Sequence, residues 1–242
     1  MKEYRRPDGE RRVWFEPSEI ECTMEDELSK ASLYPTTAQP LVNIEQFLEG
    51  HLHAKLDQYA NLDEEVLGVT SFVAGQSPRV DINKDLTGAV FDKGDDNTSS
   101  LGRWRATLAH EAAHIILHRP LFELSVMQTD LFRQSDRETP KEVVIRCFKR
   151  NVGFTRGRTD WREFQANSGM AALLMPQRLL KELAKQTLRS LPERLPEEGS
   201  KEAQQLLISI SEVFQVSRQA ATIRLQVLGT IIPSGQIQMR TG

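Results

Sequence analysis

The stretch that most restricts what this chain can become is Thr107–His118, TLAHEAAHIILH, which holds three of its five histidines, four residues apart. On an α-helix, positions four apart lie almost above one another, one turn along the axis. His110, Glu111 and His114 thus form an HExxH pattern, in which two imidazoles share one ion and the glutamate beside the first reaches a water next to it. Zn²⁺ is the expected cofactor, and Glu111 the expected general base. HExxH fixes only three positions, so a core helix whose histidines bond to neighbours stays open as the alternative. Against it, the flanking residues are almost wholly apolar, and a buried Glu111 between two histidines needs partners. His118 lies about 12 Å along the axis from His110, too far for one ion to bind both together with His114. It is assigned a supporting or packing role beside the ligands.

A third ligand must come from elsewhere, and Glu123, Asp130, Asp136, Cys147, Asp160 and Glu163 are the downstream candidates. Glu163 is set apart by its helix, because Ala166, Met170, Leu173 and Leu174 repeat after it as a buried stripe. Asn167 follows four residues later on the same face, an amide placed to orient ligands. A solvent-exposed Glu163 remains the alternative reading.

The two segments RWRATLAHEAAHIILH and DWREFQANSGMAALLMP together resemble the ImmA/IrrE family of zinc metallopeptidases. The likeness rests on Thr107-Leu108-Ala109-His110-Glu111, His114, Glu163, Ala166-Asn167 and Leu173-Leu174-Met175-Pro176, and it covers about residues 38–180. It implies a zincin-like peptidase with His110, His114 and Glu163 as metal ligands, Glu111 as base and Asn167 in the supporting shell. It also implies cleavage of a helix-turn-helix repressor as substrate, inducing stress, phage-defence or mobile-element genes. Two features depart from the family pattern. Gln165 stands where glutamate is frequent, and 48 residues separate His114 from Glu163, which predicts an insertion over about Phe122–Thr159. A second reading keeps the fold but gives the chain a regulatory role, sequestering a repressor or sensing nucleic acid without proteolysis.

The expected fold is α+β: a mainly helical core with a small antiparallel sheet over about Val66–Ile82, then a helical, helix-turn-helix-like C-terminal region. The expected division is an N-terminal arm (1–37), docked through Trp14 and Phe15, a metallopeptidase domain (38–182) and the C-terminal region (183–242). Helices are expected over NIEQFLEGHLHAKLDQYA with Asn43 as N-cap, from Arg103 to Arg119 with Pro120 as its stop, over PKEVVIRCFKRN, and after the N-cap Asp160. In the last segment Ser217 caps the second helix, and Ala220, Ile223 and Val227 or Leu228 supply its apolar face. Arg218, Gln219 and Arg224 fit a DNA-reading surface poorly, so packing on the core or a protein partner is the expected use.

Arg146–Arg162 carries six basic residues interleaved with Phe148, Phe154 and Trp161. Arg146, Lys149, Arg150, Arg156 and Arg158 are therefore candidate contacts to a single-stranded nucleic-acid activator, although a solvated loop fits equally. Cys147, in the same segment, is a candidate inhibitory metal ligand, since a thiolate can fill zinc's fourth position; a small buried hydrophobe is its ordinary use. A net charge of -3 gives no global attraction to nucleic acid. Only Cys22 and Cys147 occur, which predicts a reducing, cytoplasmic setting without disulfides. The charged N-terminus reads as no signal peptide, and no run of about 18 apolar residues appears, so no membrane partner is expected.

Overall fold

Two segments expected to be helical form strands instead, and both complete the sheet that covers the site. A computed structural model describes residues 2–5, 11–73, 75–92, 98–132, 142–149, 160–188 and 195–234. Asn43 caps the helix as expected, accepting from the Gln46 amide at 3.0 Å. That helix is short, however: α2 (Ile44–Gln46) passes into a π turn (Phe47–His51). His53 then takes a left-handed φ of 53°, and Lys55–Ala60 continues as a strand, β3. Leu52 and Leu56 thus match a helical period that the backbone leaves after His51. β4 (Val66–Phe72) and β5 (Arg79–Asn83) are the expected antiparallel pair. The segment expected to form a helix after Pro140 is strand over Val143–Phe148, labelled β6 once the remaining elements are placed. Its β-branched run suits a pleated surface. Burial alternates along it, with Ile145 and Cys147 inside and Val144 and Arg146 outside.

The sheet order is β3-β5-β4-β6. β3 runs parallel to β5 and the other pairs are antiparallel, so the sheet is mixed rather than wholly antiparallel. β4 is buried along its whole length, and the HExxH helix packs across its inner face.

That helix, α4, spans Thr98–Phe132 and follows α3 (Lys84–Phe91). It does not stop at Pro120. A proline there forfeits one backbone hydrogen bond and crowds the carbonyl four residues earlier, at a cost of about 3 kcal/mol. Packing on both sides offsets this: Leu117 is buried, and Phe122 stacks on Phe72 of β4 with centroids 5.0 Å apart. After β6 comes α5 (Trp161–Leu174), opened by Asp160, whose side chain accepts from the Arg162 amide at 3.1 Å. α6 (Gln177–Thr187), α7 (Lys201–Phe214) and α8 (Arg218–Val227) complete the helical part. The result is an α+β fold with a mainly helical core.

The N-terminal segment contributes two strands and a helix. β1 (Lys2–Arg5) and β2 (Arg11–Trp14) pair antiparallel. α1 (Pro17–Lys30) buries Ile20, Met24 and Leu28, one residue per turn, against α5. Trp14 stacks on Phe164 of α5, centroids 6.2 Å apart. At the other end, Ser217 caps α8 as expected, but the buried face is Ala221, Arg224 and Leu225, while Val227 is 64% exposed. Arg224 buries because its guanidinium is satisfied, donating to the Met175 carbonyl and to both carboxylate oxygens of Glu21 on α1. One cluster of buried side chains reaches from Ile20 to Ile231.

Candidate metal centre

The facing sides of α4 and α5 carry the chemistry. Gly169 lets the two helices approach closely: a Cβ there would lie 2.8 Å from Ala113 Cβ and 2.9 Å from Met24 Cε. At this crossing His110 Nε2 and His114 Nε2 stand 3.0 Å apart. Glu163 closes the triangle, with Oε2 3.3 Å from His110 Nε2 and Oε1 3.3 Å from His114 Nε2. Both histidines are fully buried and Glu163 is 7% exposed. For a tetrahedral zinc with bonds of about 2.0–2.1 Å, ligand atoms should stand about 3.3 Å apart. The donor set is also chemically suited, two imidazoles and one carboxylate being a known catalytic zinc set.

Each histidine is held from behind. His110 Nδ1 lies 3.2 Å from Asn167 Oδ1, so that nitrogen donates and Nε2 keeps its lone pair for a metal. His114 Nδ1 is 3.0 Å from His118 Nδ1, and His118 Nε2 is 3.3 Å from Gln165 Oε1. His118 thus backs a ligand without being one.

Glu111, fully buried beside His110, faces the sheet. Its Oε2 accepts from the Thr70 hydroxyl at 2.5 Å, while Oε1 has no hydrogen-bond partner among the described residues. Gly68, two residues before Thr70 on the same face of β4, leaves room for it, since a Cβ there would come within 2.7 Å of Oε1. Opposite Gly68 in register is Cys147 of β6. Ligand atoms of His110, Glu111 and Cys147 lie within 4.8 Å of one another, a second triad sharing His110 with the first.

Burial sets the direction at Glu111, His114 and Cys147. It pushes the Glu111 carboxyl up to about 7, against the charge of His110 and the Thr70 hydrogen bond. It pushes His114 down to about 4 and the Cys147 thiol up to about 11. Burial works the same way on Glu163, but His110 and His114, each 3.3 Å away, outweigh it and hold that carboxyl well below the usual carboxylate range. The site therefore combines one firmly ionised carboxylate with a second that is easily protonated.

Asp160 is the exposed N-cap of α5 and is not one of the residues whose ligand atoms cluster here. Glu123 and Asp130 belong to α4 in backbone only, and Asp136 lies outside the described residues. Of the candidate nucleic-acid contacts, Arg150, Arg156 and Arg158 also lie outside them. Arg146 is exposed on β6, and Lys149 has the carboxylates of Glu64 and Glu65 at 3.5 and 3.6 Å. Sequence reasoning passed over Gly68 and Thr70, and marked Gln165 only as a departure from the family pattern. The first two left a signal: a small and a hydroxyl residue alternating on one face of an apolar strand.

Among the described residues no helix is long and apolar enough to cross a membrane. The family model for the IrrE N-terminal-like domain, Peptidase M78, matches residues 96–226, more than half of the chain and including both site helices. No curated protein matches the chain.

Proposed function

The chain belongs to the Peptidase M78 family of IrrE N-terminal-like domains, and from that premise we propose that it is a zinc-dependent endopeptidase. One observation carries the reading: His110 Nε2, His114 Nε2 and both oxygens of Glu163 converge on one point, with Oε1 of Glu111, unpartnered among the described residues, beside them. His110, His114 and Glu163 would hold the metal, and Asn167 and His118 orient the two imidazoles. Zinc bound there would supply Lewis acidity for a carbonyl oxygen and a water. Glu111 takes the proton of the attacking water at Oε1, while Thr70 holds Oε2 still. The same carboxyl then returns the proton to the departing amine.

The substrate we propose, on the strength of the resemblance of the two motif segments, is a helix-turn-helix repressor. The test is incubation of purified repressors encoded beside the gene with the zinc-loaded chain and with its Glu111→Gln variant. Specific shortening by the wild type alone supports proteolysis. A second reading, sequestration without cleavage, is favoured by the full burial of His110, Glu111 and His114; it predicts a stable complex in which the repressor keeps its length.

A further inference from the structure

We propose that Gln165, bridging His118 and the Val13 carbonyl, is a positioning residue that fixes the proton arrangement of the histidine relay and so readies His114 for metal. This rests on the zinc reading above and deepens it. The starting point is a carbonyl that can only accept. Gln165 Nε2 lies 3.3 Å from the Val13 carbonyl oxygen in β2, so the amide must present its NH₂ there and its Oε1 on the other side. That oxygen, 3.3 Å from His118 Nε2, can only accept, so His118 carries its proton on Nε2. A neutral His118 then has a bare Nδ1, and His114 Nδ1, 3.0 Å away, must donate to it. His114 is left with its lone pair on Nε2, the nitrogen that faces Glu163 and His110. Each proton assignment follows from the one before, beginning at a backbone atom.

All four members are enclosed. Gln165, His114 and His118 are fully buried and Val13 is 7% exposed, so water has little room to substitute for a missing partner. The ring of Trp161 packs edge-on against His118 at 5.6 Å. On the other flank Trp14, next to Val13, stacks on Phe164, next to Gln165. β2 is therefore held against α5 at the residues that make the bridge. Without Gln165 Oε1, His118 has no acceptor at Nε2 and gains nothing by keeping its proton there. It can then donate from Nδ1, which turns the proton of His114 onto Nε2 and opposes metal binding.

The experiment compares the zinc-loaded full chain with Gln165→Met and Gln165→Glu, reading zinc affinity by chelator competition and histidine tautomers by ¹⁵N NMR. Methionine keeps the length and apolar stem but accepts nothing useful. Glutamate accepts from His118 yet cannot donate to Val13 when ionised, which separates the tautomer role from the docking of β2. We expect the wild type and Gln165→Glu to show His118 protonated on Nε2 and to bind zinc comparably. Gln165→Met should lose that signature and bind zinc about 10–100-fold more weakly, the usual scale for removing an outer partner of a ligating histidine. Equal weakening in both variants would indicate a plain structural bridge and overturn the proposal, as would a folded Gln165→Met with wild-type affinity. The wild-type spectrum decides even where a variant does not fold: His118 protonated on Nδ1 contradicts the relay. A wild type that binds no zinc at all sinks the metal reading, and this inference with it.

Discussion

At the scale of single residues, the two oxygens of Glu111 have different surroundings, and this divides their labour. Oε2 is tied to Thr70 and Oε1 has no partner among the described residues. Glu111→Gln should keep the metal ligands and cost about 10²–10⁴-fold in kcat, the range for losing a general base, while zinc content stays at the wild-type level. Thr70→Val, nearly equal in shape, leaves a buried carboxylate oxygen without its donor and should destabilise the fold by about 1–3 kcal/mol, read from denaturant midpoints. Much of this was legible beforehand. His110, Glu111, His114, Glu163 and Asn167 are separable by helical spacing and by the apolar stripe beneath Glu163. The roles of Thr70 and Gln165 were not, because each acts through a contact made across 41 or 47 positions of sequence, to Glu111 and His118, and no local signal names such a partner.

At the scale of elements, the site is a meeting of α4, α5 and the β4–β6 pair, and glycines set the spacing. Gly68→Ala would put a methyl carbon against Glu111 Oε1 and Thr107. Overpacking of this kind costs about 1–3 kcal/mol and should displace the base, so activity falls more than zinc affinity does. Gly169→Val would press α5 away from Ala113 and Met24. There the reverse is expected, because Glu163 rides on α5 and the loss should appear first in zinc affinity. Helix starts were readable from the chain, since Asn43, Asp160 and Ser217 all cap as their chemistry requires. β3 and β6 were not, for different reasons. In β3 a helical period of leucines persists past the left-handed turn at His53; in β6 a proline suited to a helix start outweighed a β-branched run in the reading. Pro120 shows the converse, a local breaker overruled by the packing of Leu117 and Phe122.

At the scale of the whole molecule, the two ends of the described chain meet. Arg224 of α8 is 2% exposed and joins Glu21 of α1 to the carbonyl that ends α5. A hydrogen bond to a charged group contributes about 1.5–3 kcal/mol, so Arg224→Met should lower the melting temperature by several degrees in a single cooperative transition. Two separate transitions would mean that the C-terminal helices unfold on their own. The α+β class, the helical majority and the paired strands over Val66–Ile82 could be inferred from periodicity alone. The closure through Arg224 could not, because a buried arginine looks like a surface residue until its partners are known.

The metal is the deciding feature, and elemental analysis tests it most directly, on metal-replete wild-type protein beside Glu163→Ala. About one zinc per wild-type chain is expected, lost or sharply reduced in the variant, as a His₂Glu site requires. A wild type without zinc, or a variant that retains it undiminished, would contradict the claim that His110, His114 and Glu163 form a catalytic metal centre.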